Sequence, residues 1–161
     1  MPTTHLLSTG VSFDNTDLGG QNSELLDEYE EGTYTHTAVG STSGSMTFHS
    51  GYNEGKYTKI GRLVHNQGFV SSQSGTCSGT IHFGLTHSSG SGEGFACTVH
   101  VEPYRLDVIA DIVQINGHII ANAAYFYLIQ TQDNGEPVNI TSDAWTQNSS
   151  AMRWSFMFSS T

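Results

Sequence analysis

Short runs of alternating apolar and polar residues, separated by turn-forming residues, follow one another along the chain from residue 33 onward. In residues 80–87, Ile81, Phe83 and Leu85 occupy every second position, and residues 153–158 repeat the pattern with large aromatics. Successive side chains of a strand point to opposite faces, so a period of two predicts strands with one buried face. About nine or ten such strands predict an all-β domain, and we expect an antiparallel, jelly-roll-like β-sandwich.

Turn-forming residues mark the ends of several predicted strands. The pair Asn116-Gly117 has the composition of a type I′ hairpin turn, which needs positive φ at both central positions. Asp133, Asn134 and Gly135 predict a second turn. The chain has 161 residues, enough for one domain that buries a core without help from disulfides or metals.

Acidic residues outnumber basic ones by 15 to 5, which gives a formal net charge of −10. A nucleic-acid-binding surface needs a basic face, and anionic membranes attract basic segments, so we expect neither as a partner. We also expect no membrane insertion, because no apolar run approaches the length of a membrane span.

The first 32 residues differ in composition from the rest of the chain. They contain no lysine or arginine, and five acids fall within eight residues: Glu24, Asp27, Glu28, Glu30 and Glu31. Residues 23–31 are compatible with a short helix, but acids at its C-terminal end would oppose the helix dipole. We therefore predict an extended acidic N-terminal arm or linker over residues 1–32, followed by the β-sandwich domain over residues 33–161.

Three of the five basic residues, Lys56, Lys59 and Arg62, lie within one heptad of the sequence. Together with the acidic arm they indicate charge pairing, either within one chain or between subunits. The alternative is a solvated turn face. The candidate residues for arm or inter-subunit contacts are Glu28, Glu30, Glu31, Lys56, Lys59 and Arg62.

Motifs of known catalytic or metal sites are not present: the chain lacks G-x-S-x-G, a P-loop, H-E-x-x-H and C-x-x-C. One group of residues carries zinc-binding side chains: His82, His87, Cys97 and His100. Its spacing matches no known site, so solvent-facing histidines and a buried thiol are the favoured interpretation. The acids do not form the ligand ladder of a calcium loop or the carboxylate pair of a glycosidase. We expect no enzyme activity, no cofactor and no metal.

Two stretches of the chain resemble sequences of bacteriophage tail-fibre and tailspike proteins. Residues 25–35, Leu-Leu-Asp-Glu-Tyr-Glu-Glu-Gly-Thr-Tyr-Thr, resemble the stretch L-D-D-Y-E-E-G-T-W-T-P, which joins the fibre shaft to a C-terminal β domain. Residues 55–65 resemble the stretch G-x-Y-T-K-I-G-N-x-V of the same proteins, in the same order and at the same separation. Tyr34 and His36 stand where the family has Trp and Pro.

The resemblance implies a virion protein that forms a homotrimer and binds host cell-surface polysaccharide. An aromatic ring stacks on the apolar face of a sugar while polar groups bind its hydroxyls. Exposed loop aromatics are therefore the candidate glycan-binding residues: Tyr52, Tyr104 and Trp145. The alternative role for these rings is to cap the end of the sandwich.

Two functions are compatible with the resemblance. The first is a non-enzymatic tail-fibre tip or receptor-binding domain that recognises host surface glycan. The second is a head-fibre, capsid-decoration or tail-tip structural protein that acts through contacts with other virion proteins. The matched region begins about ten residues from the first residue, so the chain is either the C-terminal domain of a longer fibre or a small independent virion protein.

Overall fold

The computed structural model describes residues 29–92, 94, 96–108 and 111–161, and the backbone of three short strands before residue 27. Its strands, in chain order, are β1 (His5–Leu7), β2 (Gly10–Ser12), β3 (Leu25–Leu26), β4 (Tyr29–Thr35), β5 (Ala38–Gly40), β6 (Ser45–Phe48), β7 (Glu54–Ile60), β8 (Leu63–Gly75), β9 (Ile81–Gly84), β10 (Cys97–Tyr104), β11 (Ile112–Ile119), β12 (Tyr125–Gln132), β13 (Val138–Asn139) and β14 (Ala151–Ser159). One 3₁₀ turn, Ser142–Ala144, lies between β13 and β14.

Eight of these strands form a closed antiparallel barrel, in the order β14-β10-β11-β12-β9-β5-β6-β8. Closure comes from β14, which pairs with β10 on one side and with β8 on the other. The predicted β-sandwich is therefore wrong, although the all-β class is right. Strands of a sandwich and of a barrel both alternate between one buried and one exposed face, so the sequence pattern does not distinguish them.

The 13-residue strand β8 joins the barrel to a further pair of strands. Its last residues pair with β6, while its first residues pair with β7, and β7 pairs in turn with β4. Gly61, at φ +56°, turns the chain between β7 and β8. Strand β4 runs across the predicted boundary between the N-terminal arm and the β domain, which lies between residues 32 and 33.

The barrel is filled by inward-facing apolar side chains, as the alternation predicted. Phe83 and Phe126 are fully buried, and Trp154 is 3% exposed. Their rings contact one another, with centroids 5.1 Å apart for Phe83 and Phe126 and 5.3 Å apart for Phe126 and Trp154. These three rings form the centre of the core.

The predicted hairpin turn at Asn116-Gly117 is wrong. Both residues lie inside β11, where they pair with Ile129 and Leu128 of β12. A Cβ atom at Gly117 would lie 2.5 Å from the Val99 Cβ atom, so this glycine serves close strand packing rather than a turn. The predicted turn at Asp133 to Gly135 is confirmed, since it follows β12 directly.

The described part of the predicted N-terminal arm contains β1, β2 and β3, which pair antiparallel in one small sheet. Of residues 23–31, the structure places Leu25–Leu26 in β3 and the residues from Tyr29 onward in β4. The extended arm over residues 1–32 stays a prediction. Among the described residues, no helix has the length and apolarity needed to cross a membrane.

Candidate functional site

A groove on the outside of the barrel is centred on Phe69. On β8, Val64, Asn66 and Val70 are buried and alternate with outward-facing residues. Phe69 therefore lies on the outer face, where it pairs with Arg153 of β14. The Arg153 guanidinium lies over the Phe69 ring, 5.3 Å from its centroid. Phe69 is half-buried, so only part of its ring is left for a ligand to contact.

On one side of Phe69 the groove contains a mainly apolar pocket of about 270 Å³. Its lining residues are Phe69, Glu102, Pro103, Tyr104, Ala151, Met152 and Arg153. Cross-strand pairing with Arg153 brings Glu102 here, and the Arg153 Nη1 and Glu102 Oε2 atoms are 3.8 Å apart. Both side chains are well exposed, so they keep donors and acceptors available for a ligand.

On the other side of Phe69 lies a second pocket, of about 310 Å³, that shares Phe69 and Arg153 with the first. Glu54, Lys56 and Gln67 supply its polar groups. Lys56 Nζ lies 3.7 Å from Glu54 Oε1, and both side chains are exposed. The two pockets form one groove, called the Phe69 groove below, with aromatic surface at its centre and polar groups around it.

Of the three predicted ligand-binding aromatics, Tyr104 lines the Phe69 groove and Tyr52 packs against Phe69 beside it. Tyr104 is 57% exposed and lines the groove, with the Arg105 guanidinium 5.1 Å from its ring centroid. Tyr52 is 56% exposed and packs edge-on against Phe69, with ring centroids 5.7 Å apart. The structure therefore brings together two tyrosines that are 52 positions apart in the sequence.

Trp145 lies elsewhere and is almost entirely buried. It is 8% exposed and packs against Phe83, with ring centroids 5.5 Å apart. Its remaining exposed edge lines a separate pocket of about 260 Å³, together with Ser72, Asp143 and Gln147. The indole is thus mainly a core side chain, because the 3₁₀ turn that precedes it folds the loop back onto the barrel.

Sequence reasoning missed Phe69 itself. The signal is present in the printed sequence: Val64, Asn66, Gly68 and Val70 occupy one face of a strand, which leaves Phe69 on the other. A large aromatic residue on the polar face of an otherwise regular strand indicates a binding surface.

Glu30, a predicted arm-contact residue, holds β4 against a loop of the barrel. The Tyr57 hydroxyl donates a hydrogen bond to Glu30, and His87 Nε2 lies 3.6 Å from the same carboxylate. The Tyr57 hydrogen bond, with the nearby His87 and Lys59, holds the pKa of Glu30 below its ordinary value. Donating this hydrogen bond to the carboxylate raises the pKa of the Tyr57 hydroxyl.

The other predicted contact residues have neighbours within the chain. Glu31 accepts a hydrogen bond from the Tyr29 hydroxyl at 2.6 Å, and Lys59 is the cross-strand partner of Glu30. Arg62 Nε donates to the Ser160 carbonyl at 3.4 Å. Glu28 lies outside the described residues. Contacts of this set with another subunit stay a prediction.

The histidines and cysteines have separate surroundings. His82 stacks on Tyr125 with ring centroids 4.0 Å apart, and Cys77 and Cys97 are free thiols. Burial raises the pKa of the Cys97 thiol, so it favours the protonated form. In the part of the chain that the structure describes, no three His, Cys, Asp or Glu side chains come together as a metal site.

Neither a protein-family model nor a curated protein matches the sequence. A solved structure does match: the crystal structure of the Dettilon tailspike protein aligns with 81% of this chain, at a TM-score of 0.65 and 16% sequence identity. The chain spans 24% of the length of that tailspike chain. At this identity the likeness concerns the fold alone, so the barrel described above has the fold of a portion of a tailspike protein.

Proposed function

We propose that this chain is a virion-borne adhesion domain of the phage tailspike or tail-fibre type, which binds host surface polysaccharide in the Phe69 groove without cleaving it. The observation that carries the proposal is the groove itself, where Phe69, Tyr52 and Tyr104 lie beside exposed charged side chains. The fold likeness to a tailspike and the sequence resemblance of residues 25–35 and 55–65 to tail-fibre proteins support the same class.

The groove has the chemistry that a polysaccharide needs. The ring surfaces of Phe69 and Tyr104 that the neighbouring guanidinium groups leave uncovered offer apolar contact to the C–H face of a pyranose. Glu102 and Arg153 offer an acceptor and a planar donor to sugar hydroxyls, and Lys56 offers further donors. The groove lies across neighbouring strands, so its two pockets suit adjacent sugar units of an extended chain.

Binding without cleavage is supported by the surroundings of the groove carboxylates. Glu54 and Glu102 are each exposed to solvent and lie within 4 Å of a cation. Glycoside hydrolysis needs one carboxylic acid that stays protonated, which requires an apolar or anionic environment. Solvent and a neighbouring cation both favour the ionised form of Glu54 and Glu102, so we expect the groove to hold a glycan chain intact.

Replacing Phe69 by alanine is expected to weaken polysaccharide binding at least tenfold. An aromatic ring at the centre of a contact is worth more than about 1.4 kcal/mol, which corresponds to that factor. Binding is measured by surface plasmon resonance on a panel of bacterial lipopolysaccharides and capsular polysaccharides. Val113→Ala, an exposed apolar residue on β11, is the matched control and should bind as the wild type does. If the Phe69 variant binds polysaccharide as tightly as the wild type, the Phe69 groove is not the binding site.

The proposed homotrimer has a candidate contact in a row of exposed apolar residues. Tyr29, Ile60 and Leu63 are cross-strand neighbours on β4, β7 and β8, and each is between 45% and 56% exposed. Exposed apolar neighbours of this kind mark contact surfaces between proteins. The row lies where the chain passes from the acidic segment into β4, so it is placed to meet an adjacent subunit.

Leu63→Glu is expected to convert the trimer into a monomer, because it places a charge in a surface that association would bury. Sedimentation velocity at about 10 µM checks this, with Val138→Glu on β13 as the control that should leave the trimer intact. A wild-type chain that sediments as a monomer would refute the homotrimer. A trimeric Leu63 variant would move the contact to another face.

The same apolar row keeps the second function open, that of a structural virion protein acting through protein contacts. Binding to purified capsids or tails that is lost in Leu63→Glu, without polysaccharide binding by the wild type, would favour it. Polysaccharide binding that depends on Phe69 would favour adhesion.

A further inference from the structure

A pocket of about 370 Å³ lies away from the Phe69 groove, between β12 and the segment around the 3₁₀ turn. Its lining residues are Asp107, Val108, Gln130, Asn139, Ile140, Thr141, Asp143 and Ala144. Two backbone hydrogen bonds build it: Asp107 N–H donates to the Ala144 carbonyl at 2.8 Å, and Ile140 N–H donates to the Leu128 carbonyl at 2.9 Å. The first of these bonds brings Asp107 next to Asp143 although 36 positions separate them.

One wall of this pocket carries an unsatisfied buried acceptor. Gln130 follows Phe126 and Leu128 on the inward face of β12 and is only 6% exposed. Among the described residues, none gives its Oε1 atom a hydrogen bond. A buried carbonyl oxygen without a partner costs stability, so its presence beside a polar pocket calls for a ligand that it can bind.

The polar groups that line the pocket are rich in oxygen ligands. Asp107 and Asp143 supply carboxylates, Gln130 and Asn139 supply amide oxygens, and Thr141 supplies a hydroxyl. Carboxylates accept hydrogen bonds but donate none, so they favour a positively charged occupant. The pocket supplies only two carboxylate ligands, and its other oxygen ligands are amide and hydroxyl groups. It is therefore not a cluster of three His, Cys, Asp or Glu side chains, and no such cluster occurs among the described residues.

This donor set fits calcium better than other metal ions. Ca²⁺ takes six to eight oxygens from carboxylates, amide carbonyls and water, in a flexible geometry. Mg²⁺ needs a tight octahedron and zinc needs nitrogen or sulfur ligands, which the pocket does not offer. The remaining volume leaves room for coordinating waters.

We propose that this pocket binds one Ca²⁺ ion through Asp107, Asp143 and Gln130 Oε1, and that the ion fixes the segment around the 3₁₀ turn against the barrel. Asp143 also lines the pocket beside Trp145, so the ion would set the position of that loop as well. The proposal does not depend on polysaccharide binding in the Phe69 groove.

The test uses the full chain, freed of metal with EDTA and exchanged into chelator-treated buffer. Isothermal titration with CaCl₂ should give one site with a Kd between about 10 µM, the weak limit of calcium sensors, and about 1 mM, the weak limit of extracellular modules. A hundredfold excess of Ca²⁺ over Kd should raise Tm by about 5–10 °C. MgCl₂ and NaCl at matched ionic strength should raise Tm by much less.

Three variants and one control assign the site. Asp107→Asn and Asp143→Asn should each weaken Ca²⁺ binding at least tenfold, and Gln130→Leu, which removes the buried oxygen, should weaken it as well. Both aspartates are exposed, so their variants are expected to fold. Asp133→Asn, in an exposed turn outside the pocket, should bind Ca²⁺ as the wild type does.

Either of two results would overturn the proposal. One is a wild-type chain with no heat of binding and no calcium-specific rise in Tm. The other is a calcium effect that Asp107→Asn and Asp143→Asn both retain in full, which would place the ion elsewhere.

Discussion

Replacing Phe83 by alanine is expected to lower the free energy of unfolding by about 3–5 kcal/mol, the largest effect of any single substitution proposed for this chain. Phe83 is fully buried on β9. Its ring centroid lies 5.1 Å from that of Phe126 and 5.5 Å from that of Trp145, so it joins the barrel core to the loop after the 3₁₀ turn. Removing the ring loses its burial and leaves a cavity that these large neighbours cannot fill.

Urea unfolding followed by tryptophan fluorescence measures this loss, since the indoles of Trp145 and Trp154 both lie next to Phe83 in the core. Phe83→Leu keeps most of the volume and should cost no more than about 1.5 kcal/mol. Met157→Ala, 60% exposed on β14, is the control and should change stability by less than about 0.5 kcal/mol. A Phe83→Ala cost below about 1.5 kcal/mol would mean that Phe83 does not hold the core together.

The buried faces of single strands could be predicted from the sequence because burial has a local signature. The alternation at Ile81 and Phe83, and again at Trp154 and Phe156, gives the inward faces of β9 and β14 correctly. The closure of the barrel has no such signature. It depends on the pairing of β14 with β8, whose partner residues are 80 to 96 positions apart in the sequence.

The candidate site was predictable only where exposure is a local property. Tyr52 and Tyr104 lie among turn residues, and both are exposed at the Phe69 groove. Trp145 has equally polar neighbours in the sequence, yet the 3₁₀ turn folds its indole onto Phe83. Whether a loop aromatic points to solvent or into the core depends on tertiary packing, which the residues around it do not encode.

The second large effect that we expect is a loss of stability in mild acid, caused by His36. Its imidazole is buried between the rings of Tyr34 and Trp154, each with its centroid 4.4 Å away. In the part of the chain that the structure describes, no group hydrogen-bonds to either ring nitrogen. Burial lowers the pKa of His36 from 6.5 to about 4, and the nearby Glu54 backbone acts in the opposite direction. The imidazole is therefore neutral in the folded protein at neutral pH.

The direction of the pH effect follows from this lowered pKa. Above pH 6.5 neither the folded nor the unfolded chain protonates His36, so its contribution to stability does not change with pH. Between pH 6.5 and 4 the unfolded chain takes up a proton that the folded chain does not, which favours unfolding by up to about 1.4 kcal/mol for each pH unit. The loss reaches about 3 kcal/mol at pH 4 and does not grow further below it.

Urea unfolding at a series of pH values from 7 to 5 should show this loss in the wild type and not in His36→Leu, which cannot titrate. The lowered pKa of Glu30 acts in a different window: its contribution is present above its ordinary pKa of about 4.5 and is lost only as the pH falls below it. Keeping the series above pH 5 therefore separates the two groups. Met157→Ala, exposed on β14 and not titratable, is the control and should keep the wild-type slope. If stability falls with pH as steeply in His36→Leu as in the wild type, His36 does not cause the loss. Its imidazole would then take up a proton in the folded protein, which requires the space between Tyr34 and Trp154 to open to water.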